Sequence, residues 1–141
     1  MTEALVHAST VAIRGRAVLI AGRSGSGKSD LALRLIDRGA ILVSDDYTRL
    51  CASGSTLHAS APEQIAGKFE IRGIGIVEQP TIADAPVALV VDLDRDPERM
   101  PAAVTRSFCG IEIPLIGLSA LEASAPIKVE SALLRFGLSH P

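Results

Sequence analysis

Residues 22–29 read Gly-Arg-Ser-Gly-Ser-Gly-Lys-Ser. They satisfy G-x-x-x-x-G-K-[ST] at every fixed position: Gly22, Gly27, Lys28 and Ser29. Glycines let a backbone wrap closely, so the N–H groups of the segment Arg23, Ser24, Gly25 and Ser26 can converge on phosphate oxygens. Lys28, expected to be exposed in the loop, can then reach the β- and γ-phosphates of a nucleotide, and the Ser29 hydroxyl can ligate Mg²⁺. A second chemical signal is the pair Asp45-Asp46. Adjacent carboxylates repel unless a cation offsets the repulsion. Close to a bound phosphate chain, one acid can hold Mg²⁺ and the other can take a proton from an attacking hydroxyl or position a water. Taken alone, Asp-Asp is more often a solvated acidic turn; the glycine loop ahead of it reverses that balance.

These groups must be positioned by elements that the hydrophobic pattern makes visible. Residues 5–13 (LVHASTVAI) and 16–22 (RAVLIAG) read as two strands joined at Gly15, and KSDLALRLIDR places Leu31, Leu35 and Ile36 on one helical face. Gly39 suits the left-handed residue that ends a helix. AILVSDD is the next strand, so strand, turn, helix and strand form a βαβ-like unit. In a parallel α/β sheet the carboxyl ends of the strands face the ligand crevice, which brings Asp45 and Asp46 toward the loop. Further strands are expected at TRLCA and TLHAS around a Ser-Gly turn, in two short runs of KFEIRGIGIV, at APVALVVDL and at IEIPLIGL. Residues 79–85 read as a polar, mobile loop. A last helix is expected over SAPIKVESALLRFG, with Ser124 as N-cap, Pro126 in the first turn and Gly137 at its end.

Composition narrows the class. In 141 residues, 48% are hydrophobic and only 3% aromatic, so the core is built from Val, Ile, Leu and Ala, as suits a sheet covered by helices. A net charge of -2 supplies no electrostatic footprint for nucleic acid or an anionic membrane. Cys51 and Cys109 lie far apart and read as buried thiols of a reducing compartment. No apolar run reaches the roughly 18 residues needed to span a bilayer. The expectation is a single cytoplasmic domain, and its apolar content is compatible with a homo-oligomer.

Four features in fixed order carry a resemblance: His7, the loop at 22–29, Asp45-Asp46, and Glu70-Ile71-Arg72-Gly73-Ile74-Gly75-Ile76. Together they resemble the HPr kinase/phosphorylase family over residues 5–78, in a short form consisting of the catalytic domain. The resemblance implies an α/β P-loop kinase domain with a mixed sheet and flanking helices, related to the PEP carboxykinase fold, over 1–141 with no N-terminal regulatory domain. It implies ATP- and Mg²⁺-dependent phosphorylation of a serine on an HPr-like phosphocarrier of a phosphotransferase system. Asp45 would be the proton acceptor, Asp46 and Glu70 would support the metal with Ser29, Arg72 would join the charge network, and His7 would lie near the transferred phosphate. From spacing alone, Glu70 and Arg72 share a strand face, either as an ion pair toward the cleft or as a polar sheet face. The family's later arginine-bearing segment has no counterpart, which argues against the reverse, phosphate-consuming direction. Arg95, Arg99 and Arg106 receive no role. Two other classes fit the same loop: a small-metabolite kinase, and a nucleotide-sensing module that transfers nothing.

Overall fold

The computed structural model describes residues 3–141. The long apolar runs become the central strands of a nine-stranded mixed sheet. In chain order the strands are β1 (Glu3–Val6), β2 (Ala8–Ile13), β3 (Arg16–Ala21), β4 (Ile41–Ser44), β5 (Thr48–Ser53) and β6 (Thr56–Ser60). A hairpin of β7 (Lys68–Ile71) and β8 (Gly75–Glu78) follows, then β9 (Ala85–Asp92), β10 (Val104–Phe108) and β11 (Ile111–Gly117). Helix α1 is Lys28–Asp37 and α2 is Ala125–Phe136. The sheet runs β1-β5-β6-β9-β3-β2-β4, with β11 joining β9 and β10 joining β11. The β7–β8 hairpin is a separate two-stranded sheet.

The βαβ-like unit is present with one antiparallel strand inserted. β2 pairs antiparallel with both β3 and β4, so β3 and β4 run parallel on either side of it. β9 is parallel to β3 on its other side. The carboxyl ends of β3, β4 and β9 and the amino end of β2 therefore share one edge. Residues 5–13 are not one strand. The chain breaks at His7, sending β1 to pair with β5 while β2 pairs with β3 and β4.

Both faces of the sheet are covered, which is why the central strands carry continuous apolar runs. On β3, Val18 and Ile20 face a core shared with Leu31 and Leu35 of α1 and Val129 and Leu133 of α2. Ala17 and Leu19 alternate to the opposite face, where Leu50, Leu57, Val90, Ile113 and Leu115 close a second core. Gly39 ends α1 at φ 109°, its N–H donating to the Ile36 carbonyl. Arg38 makes a bidentate pair with Glu130 and ties α1 to α2. Ser124 occupies the N-cap of α2 without capping through its side chain. The segment after β8 is held to the sheet: Thr81 bridges to Leu42, and the Ile82 N–H donates to the Leu42 carbonyl at 3.1 Å. Cys51 and Cys109 are free thiols, only half-buried rather than buried. Among the described residues no helix is long and apolar enough to cross a membrane.

Candidate active site

The loop after β3 rises at the shared edge and turns into α1. Gly27 is the last residue before the helix, at φ 97°, a left-handed conformation that L side chains adopt at a cost. A Cβ there would also come within 3.0 Å of the Ala120 Cβ. Gly27→Ala should therefore destabilise the domain by about 1–2 kcal/mol from backbone strain and displace the loop. The checks are a lowered melting temperature and weakened triphosphate binding by calorimetry; a variant matching wild type in both would show that the turn tolerates a side chain. The first N–H groups of α1 lack intrahelical partners and carry the positive end of the helix dipole, the usual setting for an anion.

Lys28 departs from expectation. It was expected exposed in the loop, yet it is the first residue of α1 and only 6% exposed. Its Nζ donates to the carbonyls of Gly22 at 2.8 Å and Arg23 at 3.0 Å. The ammonium thus ties the start of α1 back to the opening residues of the loop.

Asp45, at the carboxyl end of β4, is 8% exposed. Its Oδ1 accepts the Ser29 hydroxyl at 2.7 Å and the Ser9 hydroxyl at 3.0 Å, and its Oδ2 accepts the Glu70 N–H at 3.3 Å. The strand-end rule thus brings the acid to the loop. Asp46 points elsewhere. It sits at φ 67°, its N–H donates to Ser9 Oγ at 3.1 Å, and its Oδ1 lies 2.8 Å from His7 Nε2. The His7 ring stacks on Tyr47 at 5.0 Å. His7, Asp45, Asp46, Lys28 and Ser29 are therefore assembled along one edge.

Glu70 and Arg72 are not an ion pair. β7 ends at Ile71, so Arg72 falls in the exposed turn, and Glu70 reaches the site through its backbone N–H while its side chain is exposed. Nor does a side-chain contact join Ser29 to Asp46 or Glu70; its partner is Asp45. Among the described residues no cluster of three or more His, Cys, Asp or Glu side chains is set to hold a metal. Mg²⁺ does not require one, since it keeps several waters and takes one or two protein oxygens plus phosphate. A hydroxyl touching a carboxylate beside a helix N-terminus is a donor set of that kind.

Sequence reading missed Ser9, which links both aspartates, and the acids Asp92, the last residue of β9, and Asp94 just beyond it. Asp94 Oδ2 accepts the Arg23 N–H at 2.9 Å, and the Asp94 N–H donates to Asp92 Oδ1 at 2.9 Å. The signal for Asp92 was available: it ends an apolar strand, as Asp45 follows one.

Fold and loop together make a mixed α/β domain in which a glycine-rich loop after β3 opens α1. A family profile described as "HPr Serine kinase C-terminal domain" matches residues 1–86, and the chain belongs to that family. Among curated relatives, the HPr kinase/phosphorylase of Geobacillus kaustophilus is 44% identical over 103 residues, covering 67% of this chain and 33% of the relative. That of Chlorobium phaeobacteroides is 35% identical over 150 residues, covering 95% of this chain and 47% of the relative. The chain thus spans a third to a half of the length of these relatives. A solved structure, the Hpr(Ser) kinase/phosphatase from Coxiella burnetii, superposes with a TM-score of 0.82 at 29% identity, over 94% of this chain and 95% of that one.

Proposed function

We propose that this chain is the phosphoryl-transfer domain of an ATP- and Mg²⁺-dependent protein-serine kinase of the cytoplasm, whose acceptor is an HPr-like phosphocarrier. The observation that supports the proposal is the 2.7 Å contact between the Ser29 hydroxyl of the glycine-rich motif and Asp45, the acid proposed as proton acceptor. The names of the relatives, HPr kinase/phosphorylase, supply the acceptor.

In the proposed reaction the loop amides and Lys28 hold the phosphate chain, and catalysis is positioning plus charge neutralisation. The acceptor serine oxygen forms a bond to the terminal phosphorus as the bond to the diphosphate oxygen breaks. The serine proton passes to Asp45. Asp46, fixed by His7 and by Ser9, supports the network along the edge. Ser29, with Asp45 as its direct partner, would hold Mg²⁺, whose charge would offset that on the phosphate oxygens; Asp46 and Glu70, whose side chains do not reach Ser29, would act on the ion only through water. Transfer is proposed in the forward direction.

The test is incubation of the purified chain with Mg-ATP and an HPr-like carrier, read by mass spectrometry. Phosphoserine on the carrier supports the proposal. Nucleotide binding with no transfer makes the chain a sensing module, and turnover of a small hydroxyl compound makes it a metabolite kinase; either result overturns the proposal.

A further inference from the structure

Beside the loop lies a cavity of about 440 Å³. Its wall includes Leu19, which belongs to the core on the sheet face opposite α1, so the cavity approaches the loop from the side that the helix does not occupy. It touches the loop at its opening residues, Gly22 and Arg23, and extends to His7, the partner of Asp46. A group inside it would meet the start of the phosphate loop at one end and the acid pair's histidine at the other.

Arg106 of β10 faces this cavity. Its Nη2 donates to Asp92 Oδ2 at 2.6 Å. Asp92 is 9% exposed at the end of a central strand, and a buried carboxylate needs such a partner. The bond fixes the guanidinium from behind while 41% of the Arg106 side chain stays exposed. Guanidinium carries five donors in a rigid fork suited to phosphate. Among the described residues Asp92 is its hydrogen-bond partner, so most of the fork is free. Asp94, the other acid on the wall, is engaged by the Arg23 N–H.

We propose that Arg106, braced by Asp92, is an anion-binding arginine of this site that contacts the transferred phosphoryl group. The assignment rests on the kinase proposal for its catalytic meaning, but its binding chemistry does not require a carrier. Arg106 forms no covalent bond in the transfer; it lowers the charge that develops on the moving group.

The test uses the full chain and metal-free inorganic tripolyphosphate. Arg106→Gln should bind tripolyphosphate about tenfold more weakly by calorimetry, the size of one charge-assisted hydrogen bond, with Arg106→Lys between it and wild type. Transfer to the carrier should fall about a hundredfold in Arg106→Gln. In the unaltered protein, tripolyphosphate should protect Arg106 from phenylglyoxal, read by peptide mass, a measurement that needs no variant to fold. Absence of protection, or full tripolyphosphate affinity and full transfer in Arg106→Gln, overturns the assignment. A wild-type protein in which Arg106 is protected but no carrier is phosphorylated supports the assignment and overturns the kinase proposal alone.

Discussion

Lys28→Ala should lose phosphoryl transfer on the order of 10³-fold, the scale of removing a preorganised charge from a transferring phosphoryl group. The ammonium is already largely desolvated and bonded to the Gly22 and Arg23 carbonyls at the opening of the loop. Entering phosphate would exchange those carbonyls for phosphate oxygens with little reorganisation, so the side chain is costly to replace. Its structural contribution is smaller. Gly22 is half-buried and Arg23 exposed, so water can take over both carbonyls when the ammonium is gone. Single-turnover transfer should therefore collapse while the melting curve moves by a few degrees. Lys28→Met, which keeps the aliphatic stem that fills the buried space, should match Lys28→Ala in rate and wild type in melting. A Lys28→Ala protein transferring at the wild-type rate would remove the loop from the mechanism.

The exposure expected for Lys28 and the burial found show where sequence reading ends. The loop was legible because each position demands a residue type: glycine where φ is positive, lysine and serine at the helix start. The conformation of the lysine depends on carbonyls brought back by the turn, and no spacing encodes that. The acids were legible through the strand that delivers them, but their division of contacts was not. Asp45 turns inward to Ser29 and Asp46 outward to His7 because β2, which carries Ser9, is inserted between β3 and β4. A helix-linked pair of apolar strands looks the same whether or not a third lies between them. Strand β10 went unread since Val-Thr-Arg-Ser-Phe is short and alternates half-buried with exposed residues, none of them fully buried. With it went the significance of Arg106, which acquires a partner only once β10 pairs with β11 and β11 with β9. The fold neighbour covers nearly the whole chain while the family profile stops at residue 86.

Asp45→Asn separates charge from shape at the other half of the site. The carboxylate receives two hydroxyls on Oδ1 and one N–H on Oδ2. An isosteric amide can sit in this environment in one orientation. Its oxygen keeps the Glu70 N–H, and its NH₂ donates to Ser9 and Ser29, whose hydroxyls rotate to accept. The reverse orientation would set NH₂ against an N–H. This orientation keeps the Glu70 N–H bonded but turns the Ser9 and Ser29 protons away from their acceptor, so the fold should be retained with a modest loss of stability and nucleotide binding kept within a few-fold. What the amide cannot do is take a proton, and transfer should fall by ~10²–10⁴-fold. Asp45→Ala is the contrast: it strands the Glu70 N–H and two hydroxyls in a largely buried place, and should cost a further ~1–3 kcal/mol of stability. Rapid-quench measurement of carrier phosphorylation, alongside melting of both variants, distinguishes the outcomes. A normal rate in Asp45→Asn would exclude Asp45 as the proton acceptor and leave the His7–Asp46 pair, 2.8 Å apart on the same edge, as the groups to test next.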